Sequence, residues 1–115
     1  MTRKQILSID FDGTIVKHKF PQIGALLPGA KETITQLWHE GYYIIIWTCR
    51  GGQNLVDAIE FLKDMEIPYD KINENAPFEM IHFKPFPKIY ADVYIDDRNL
   101  GGFPGWDKVY ETLTL

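Results

Sequence analysis

Tyr43-Ile44-Ile45-Ile46-Trp47 passes directly into Thr48-Cys49-Arg50-Gly51-Gly52. A β-branched and aromatic run with no polar alternation is the pattern of a central strand covered on both faces, and the glycine-rich break ends it. Working toward the N-terminus, Ala30, Ile34, Leu37 and Trp38 recur at helical spacing after Pro28, and Gly41 stands at a natural stop, so an amphipathic helix precedes the strand. Toward the C-terminus, Asn54 fits the cap of a second helix with Leu55, Ile59, Leu62 and Met65 on one face, ending before Ile67-Pro68. Ile6-Leu7-Ser8-Ile9 reads as a first strand closed by the Asp12-Gly13 turn, and Val93-Tyr94-Ile95 as a later buried strand. A short strand is placed within residues 67–72. Residues 14–27 read as an extended flap or loop, and residues 73–87, with prolines at 77, 85 and 87 and no period, as a loop. Gly101-Gly102-Phe103-Pro104-Gly105 leads into a last amphipathic turn or helix over residues 106–113. Strands alternating with helices over short connections imply right-handed βαβ units. The predicted fold is therefore α/β, a three-layer α/β/α sandwich with a Rossmann-like, mainly parallel sheet, as one domain over residues 1–115.

Composition narrows the function classes. The 115 residues are 45% hydrophobic, enough for one core. Twelve Lys and Arg against sixteen Asp and Glu give a net charge of −4 with no basic stripe, so nucleic-acid binding is not expected. A lone cysteine, Cys49, excludes an internal disulfide framework and fits a reducing compartment. The polar start Met1-Thr2-Arg3-Lys4-Gln5 does not read as a signal peptide, and the longest apolar run, residues 42–47, is far too short to span a bilayer. A cytoplasmic protein with no membrane partner is expected.

In an open parallel sheet, ligands bind beyond the carboxyl ends of the strands. Three of those ends are polar here: Asp10-Phe11-Asp12-Gly13-Thr14, Thr48-Cys49-Arg50-Gly51-Gly52 and Asp96-Asp97-Arg98-Asn99. Taken singly, each has an ordinary structural reading. Asp-Gly makes turns, Asp-Asp ends strands or caps helices, and Thr after a strand is usually an edge hydroxyl. Together they gather carboxylates on one rim, which is costly unless a cation sits among them. An oxygen-rich site that also receives phosphate oxygens suits Mg²⁺.

An Asp-Phe-Asp-Gly-Thr after a strand, a Thr after the next buried strand, a Lys, and an Asp-Asp pair after a later strand resemble, in order, the four motifs of the haloacid dehalogenase (HAD) superfamily of phosphatases. The resemblance spans nearly the whole chain. It implies that Asp10 is a nucleophile forming an aspartyl-phosphate, and that Asp12 protonates the leaving alcohol and then activates water. It implies further that Mg²⁺ is held by Asp10, the Asp12 carbonyl and Asp96, with Asp97 binding through water or orienting the other ligands. Thr48 would donate to the phosphate, helped by the N–H of Cys49 and of Gly13 or Phe11. A lysine is expected near Asp10, with Lys88 chosen and Lys84 as runner-up. Arg50 and Arg98 would either contact the substrate or pair with rim carboxylates, and Asn99 stays equally open. Phe11 is expected to pack beneath the two acids. Such enzymes often carry a cap domain, for which neither usual insertion point has room here. A capless site admits a small phosphate ester or a phosphate on a larger molecule, or is closed by a neighbouring subunit in a homo-oligomer. His18, Phe20, Phe83 and Phe86 are candidates to shape its mouth.

Rival readings are separated by order and spacing. A receiver domain carries its acidic pair after the first strand and a lone phosphoacceptor Asp after a middle one; here the middle strand ends in Thr48. A phosphotransferase or mutase would use the same residues as a hydrolase. Cys49 lacks the arginine spacing of a cysteine phosphatase, Gly51-Gly52 lacks the ending of a nucleotide P-loop, and the three histidines have no zinc spacing. A silent binding module sits poorly with the presence of both Asp10 and Asp12.

Overall fold

Ile6–Ile9 (β1) is buried at all four positions, which requires neighbours on both edges and cover on both faces. A computed structural model, describing residues 4–85 and 87–115, supplies both. Tyr43–Ile46 (β4) runs parallel to β1 on one side, Ile6 opposite Tyr43 through Ile9 opposite Ile46. Val93–Ile95 (β6) runs parallel on the other, with Leu7 opposite Val93 and Ile9 opposite Ile95. The two-residue Lys71–Ile72 (β5) completes the order β5-β4-β1-β6.

Side-chain alternation divides the core in two. Leu7, Ile9, Ile44, Ile46 and Ile95 face a cluster shared with helices Ala30–His39 (α1), Gly52–Asp64 (α2) and Trp106–Leu113 (α4), which contribute Ile34, Leu37, Ala58, Leu62, Trp106 and Val109. Ile6 and Ile45 face the other way, onto Ala76, Ile81, Ile89 and Ala91. The chain steps β1 to β4 to β5 in one direction and then jumps back across β1 to β6. Right-handed crossovers accordingly put α1 and α2 on one face and the return segment on the other. The second outer layer is thin: its one helix among the described residues is Phe78–Ile81 (α3), set within a stretch otherwise read as loop. Residues 14–27 fold as an antiparallel hairpin, Val16–Lys19 (β2) with Gln22–Leu26 (β3).

Asn54 does not cap α2. The helix begins two residues beyond Arg50, with Gly51 as its N-cap and no side-chain cap. The Asn54 carbonyl instead accepts a hydrogen bond from Arg50 at 3.3 Å. No described helix is long and apolar enough to cross a membrane.

Candidate active site

The strand order reverses between β1 and β6, and a crevice at the carboxyl ends follows from such a reversal. Asp10 leaves β1 there, its N–H donating to Ile95 O at 2.9 Å, and Asp96-Asp97 leave β6. Asp10, Asp96 and Asp97 each offer a carboxylate oxygen within 4.8 Å of the others. Burial pushes the Asp10 carboxyl from its ordinary 3.8 up to about 7, the Asp96 charge and a hydrogen bond and charge from Asp97 add to the rise, and the Phe11 N–H opposes it. Carboxylates crowded to that degree fit a hard divalent cation, which would supply the missing positive charge.

Gly13 makes the crowding sterically possible. Its φ of +86° is a conformation that favours glycine, and a Cβ there would lie 2.6 Å from Asp97 Cγ and closer still to Oδ2. Thr14, fully buried, donates its hydroxyl to Asp10 Oδ2 at 3.3 Å. Its carbonyl accepts the indole N–H of buried Trp106 at 2.8 Å, so α4 anchors the loop that carries Asp10.

Around the acids opens a cavity of about 370 Å³ lined by Asp10, Asp12, His18, Phe20, Thr48, Cys49, Arg50, Asp96, Asp97 and Arg98. Larger hollows lie beside Lys4 and Tyr42, about 500 Å³, and beside α3, about 610 Å³, but neither is lined by clustered carboxylates. The sequence-predicted rim residues from all three strand ends thus meet in one place.

Thr48 enters from β4. Its N–H donates to Asn73 Oδ1 at 2.8 Å and its Oγ1 accepts the Arg50 N–H at 3.2 Å, leaving the hydroxyl hydrogen for another acceptor. The neighbouring Cys49 N–H makes no hydrogen bond among the described residues. The other two amides expected to meet phosphate are engaged: Gly13 N–H donates to Val16 O at 2.7 Å, and Phe11 N–H to the Asp10 carboxyl.

Of the two roles open for Arg50, the structure has it pairing with a rim carboxylate. Nε and Nη2 donate to Asp12 Oδ2 and Oδ1, both at 2.8 Å. The remaining donors go to Pro21 O and Asn54 O from Nη1 and to Gln22 O from Nη2, at 3.1, 3.3 and 3.1 Å. All five guanidinium N–H groups are thereby used, and none is left for a phosphate. Asp12 is held by this clamp and lies outside the carboxylate triad. Arg98 differs: its backbone N–H donates to Asp96 Oδ1 at 2.8 Å, while its guanidinium is exposed in the cavity wall with no partner among the described residues.

Lys88 does not line this cavity: its Nζ lies 4.5 Å from the centroid of the Tyr94 ring, whose hydroxyl donates to Ile89 O and accepts from Ala91 N–H. Lys84 lines the hollow beside α3 with Phe83, so Phe83 does not shape this mouth, whereas His18 and Phe20 do. Phe86 lies outside the described residues. Asn99 donates to the carbonyls of Asp96 and Tyr94 and shapes the turn. Sequence reading missed Asn73, Thr14 and Trp106 as supports. An Asn directly after a strand, where a φ of +54° is tolerated, is the signal that could have pointed to the first.

No protein-family model matches the chain, and no curated protein matches it. Among solved structures, a conserved protein from Bacteroides thetaiotaomicron superposes with a TM-score of 0.85 at 39% identity, over 96% of this chain and 89% of that one. Identity at that level over nearly both full lengths shows common descent, and this chain belongs to the same family as the Bacteroides thetaiotaomicron conserved protein.

Proposed function

We propose that this protein is a Mg²⁺-dependent phosphate monoester hydrolase of the haloacid dehalogenase type, capless, working through an aspartyl-phosphate on Asp10. The observation that carries the reading is the convergence of Asp10, Asp96 and Asp97, their oxygens within 4.8 Å of one another, on a cavity that also holds Thr48 and Asp12.

Asp10, Asp96 and Asp97 would hold the cation, whose chemistry there is to neutralise phosphate oxygens. The Thr48 hydroxyl and the Cys49 N–H are the donors left to orient the phosphoryl group. An Asp10 oxygen attacks phosphorus, the ester P–O bond breaks, and the departing oxygen takes a proton from the Asp12 carboxyl. Water then attacks phosphorus, Asp12 takes its proton, the bond to Asp10 breaks and phosphate leaves. Each Asp12 oxygen accepts one N–H from Arg50 and retains a second lone pair, so the clamp fixes the carboxyl without closing it to protons.

The test is a panel of phosphate esters with Mg²⁺, read as free phosphate, for the native protein and Asp10→Asn. Phosphate release by the native protein, abolished by chelator and by Asp10→Asn in a folded protein, is expected. Undiminished release by the variant overturns the proposal, and transfer of phosphate to an added alcohol without free phosphate would make the protein a phosphotransferase.

A further inference from the structure

Phe20 stands at the tip of the β2–β3 hairpin, between the two strands. It lines the cavity with Asp10 and Asp12, yet its side chain is 50% exposed. Its placement is not left to the hairpin alone. The Arg50 guanidinium carbon lies 5.1 Å from its ring centroid and 5.3 Å from that of Phe11, while the same guanidinium grips Pro21 O and Gln22 O on the far side of the tip. Arg50 is itself buried and locked to Asp12. One face of the Phe20 ring is therefore seated on a fixed cation, and the exposed part of the ring is what remains on the cavity side. An aromatic ring held rigid, half in water, beside a phosphate-handling carboxyl is a platform on which a flat group can stack without an ordering cost to the protein.

Resting on the phosphatase reading, we infer that the leaving group of the substrate carries a flat conjugated ring that stacks on Phe20, so that aryl and nucleoside phosphates are preferred over esters of saturated sugars and polyols. His18, on β2 two residues earlier, is also exposed and lines the same cavity. It offers a polar edge contact to such a ring. The Arg98 guanidinium, without a partner among the described residues, leaves a cation in the same wall for the phosphate end.

The experiment compares equilibrium binding of benzylphosphonate and cyclohexylmethylphosphonate to the full chain with Mg²⁺. Both are stable to hydrolysis and close in apolar area, and they differ in flatness. The native protein is expected to bind the benzyl compound tighter by about fivefold, the scale of one ring-on-ring contact beyond its area. Phe20→Tyr keeps the preference; in Phe20→Leu the two compounds bind alike. Equal binding by the native protein, or a preference that survives in Phe20→Leu, overturns the stacking inference and leaves the phosphatase reading standing. Failure of both phosphonates to bind overturns the two together.

Discussion

Replacing Arg50 by Met isolates the clamp that joins Asp12, the hairpin and α2. Met matches the length of the apolar stem and supplies none of the five donors. The Arg50 side chain is 1% exposed and the Asp12 side chain 13%, so the pair is largely desolvated. Removing one partner of such a pair costs about 3–5 kcal/mol, because the remaining charge stays uncompensated. Asp12 borders the cavity, and Pro21 and Gln22 are exposed, so water reaches part of what is lost and the lower end, about 3 kcal/mol, applies. For a chain of this length that is a fall in Tm of roughly 12 °C, at about 4 °C per kcal/mol. Urea denaturation followed by the fluorescence of buried Trp106 measures it. A cycle with Asp12→Asn and the double variant should give a coupling of about 2 kcal/mol. A loss below about 1 kcal/mol, the range of a surface pair, or strict additivity in the cycle, would refute the claim that the pair is buried and mutually dependent.

Other perturbations follow from the same geometry. Gly13→Ala forces a side chain into a left-handed conformation, costing about 1–2 kcal/mol, and displaces the Asp97 carboxylate; Mn²⁺ titration should show weakened binding beyond the stability loss, and unchanged affinity would contradict the packing. Because the folded Asp10 carboxyl is raised to about 7 from 3.8, the native state binds its proton more tightly than the unfolded chain. That contribution is complete below 3.8 and is lost as pH rises through about 7. With chelator present, denaturation midpoints should fall between pH 5 and 8, less so in Asp10→Asn, and identical slopes in both proteins would refute the origin of the effect. Asn73→Gly keeps the φ of +54° and removes the acceptor for Thr48 N–H, which should cost about 1 kcal/mol and lower kcat more than it raises KM; full turnover would show that Thr48 needs no such support.

The sheet and the convergence of acids were legible because both follow from local pattern plus topology. Unbroken runs such as Tyr43–Ile46 must be interior strands, and the ends of neighbouring parallel strands necessarily meet. What defeated sequence reading was the choice of partner. Whether Arg50 meets a phosphate or Asp12 depends on where the tip of a fourteen-residue flap comes to rest, and that is set by the Pro21 and Gln22 carbonyls. Where Lys88 comes to rest was not legible because the chain from Asn73 to β6 has no period to read. It is held instead by single side-chain-to-backbone bonds, such as Asn75 Oδ1 accepting from Tyr90 N–H at 2.8 Å and the Tyr94 hydroxyl donating to Ile89 O at 2.6 Å. Asn54 looked like a cap since its type fits one, yet Gly51 is the N-cap of α2 and the Asn54 backbone serves Arg50.

Chemical trapping of the covalent adduct tests the central claim most directly. The native protein, quenched while turning over an aryl phosphate with Mg²⁺ and reduced with borohydride, should yield homoserine in place of aspartate at position 10 and at no other acid. Turnover accompanied by an unmodified Asp10, or by reduction at Asp12, Asp96 or Asp97 instead, would contradict the account.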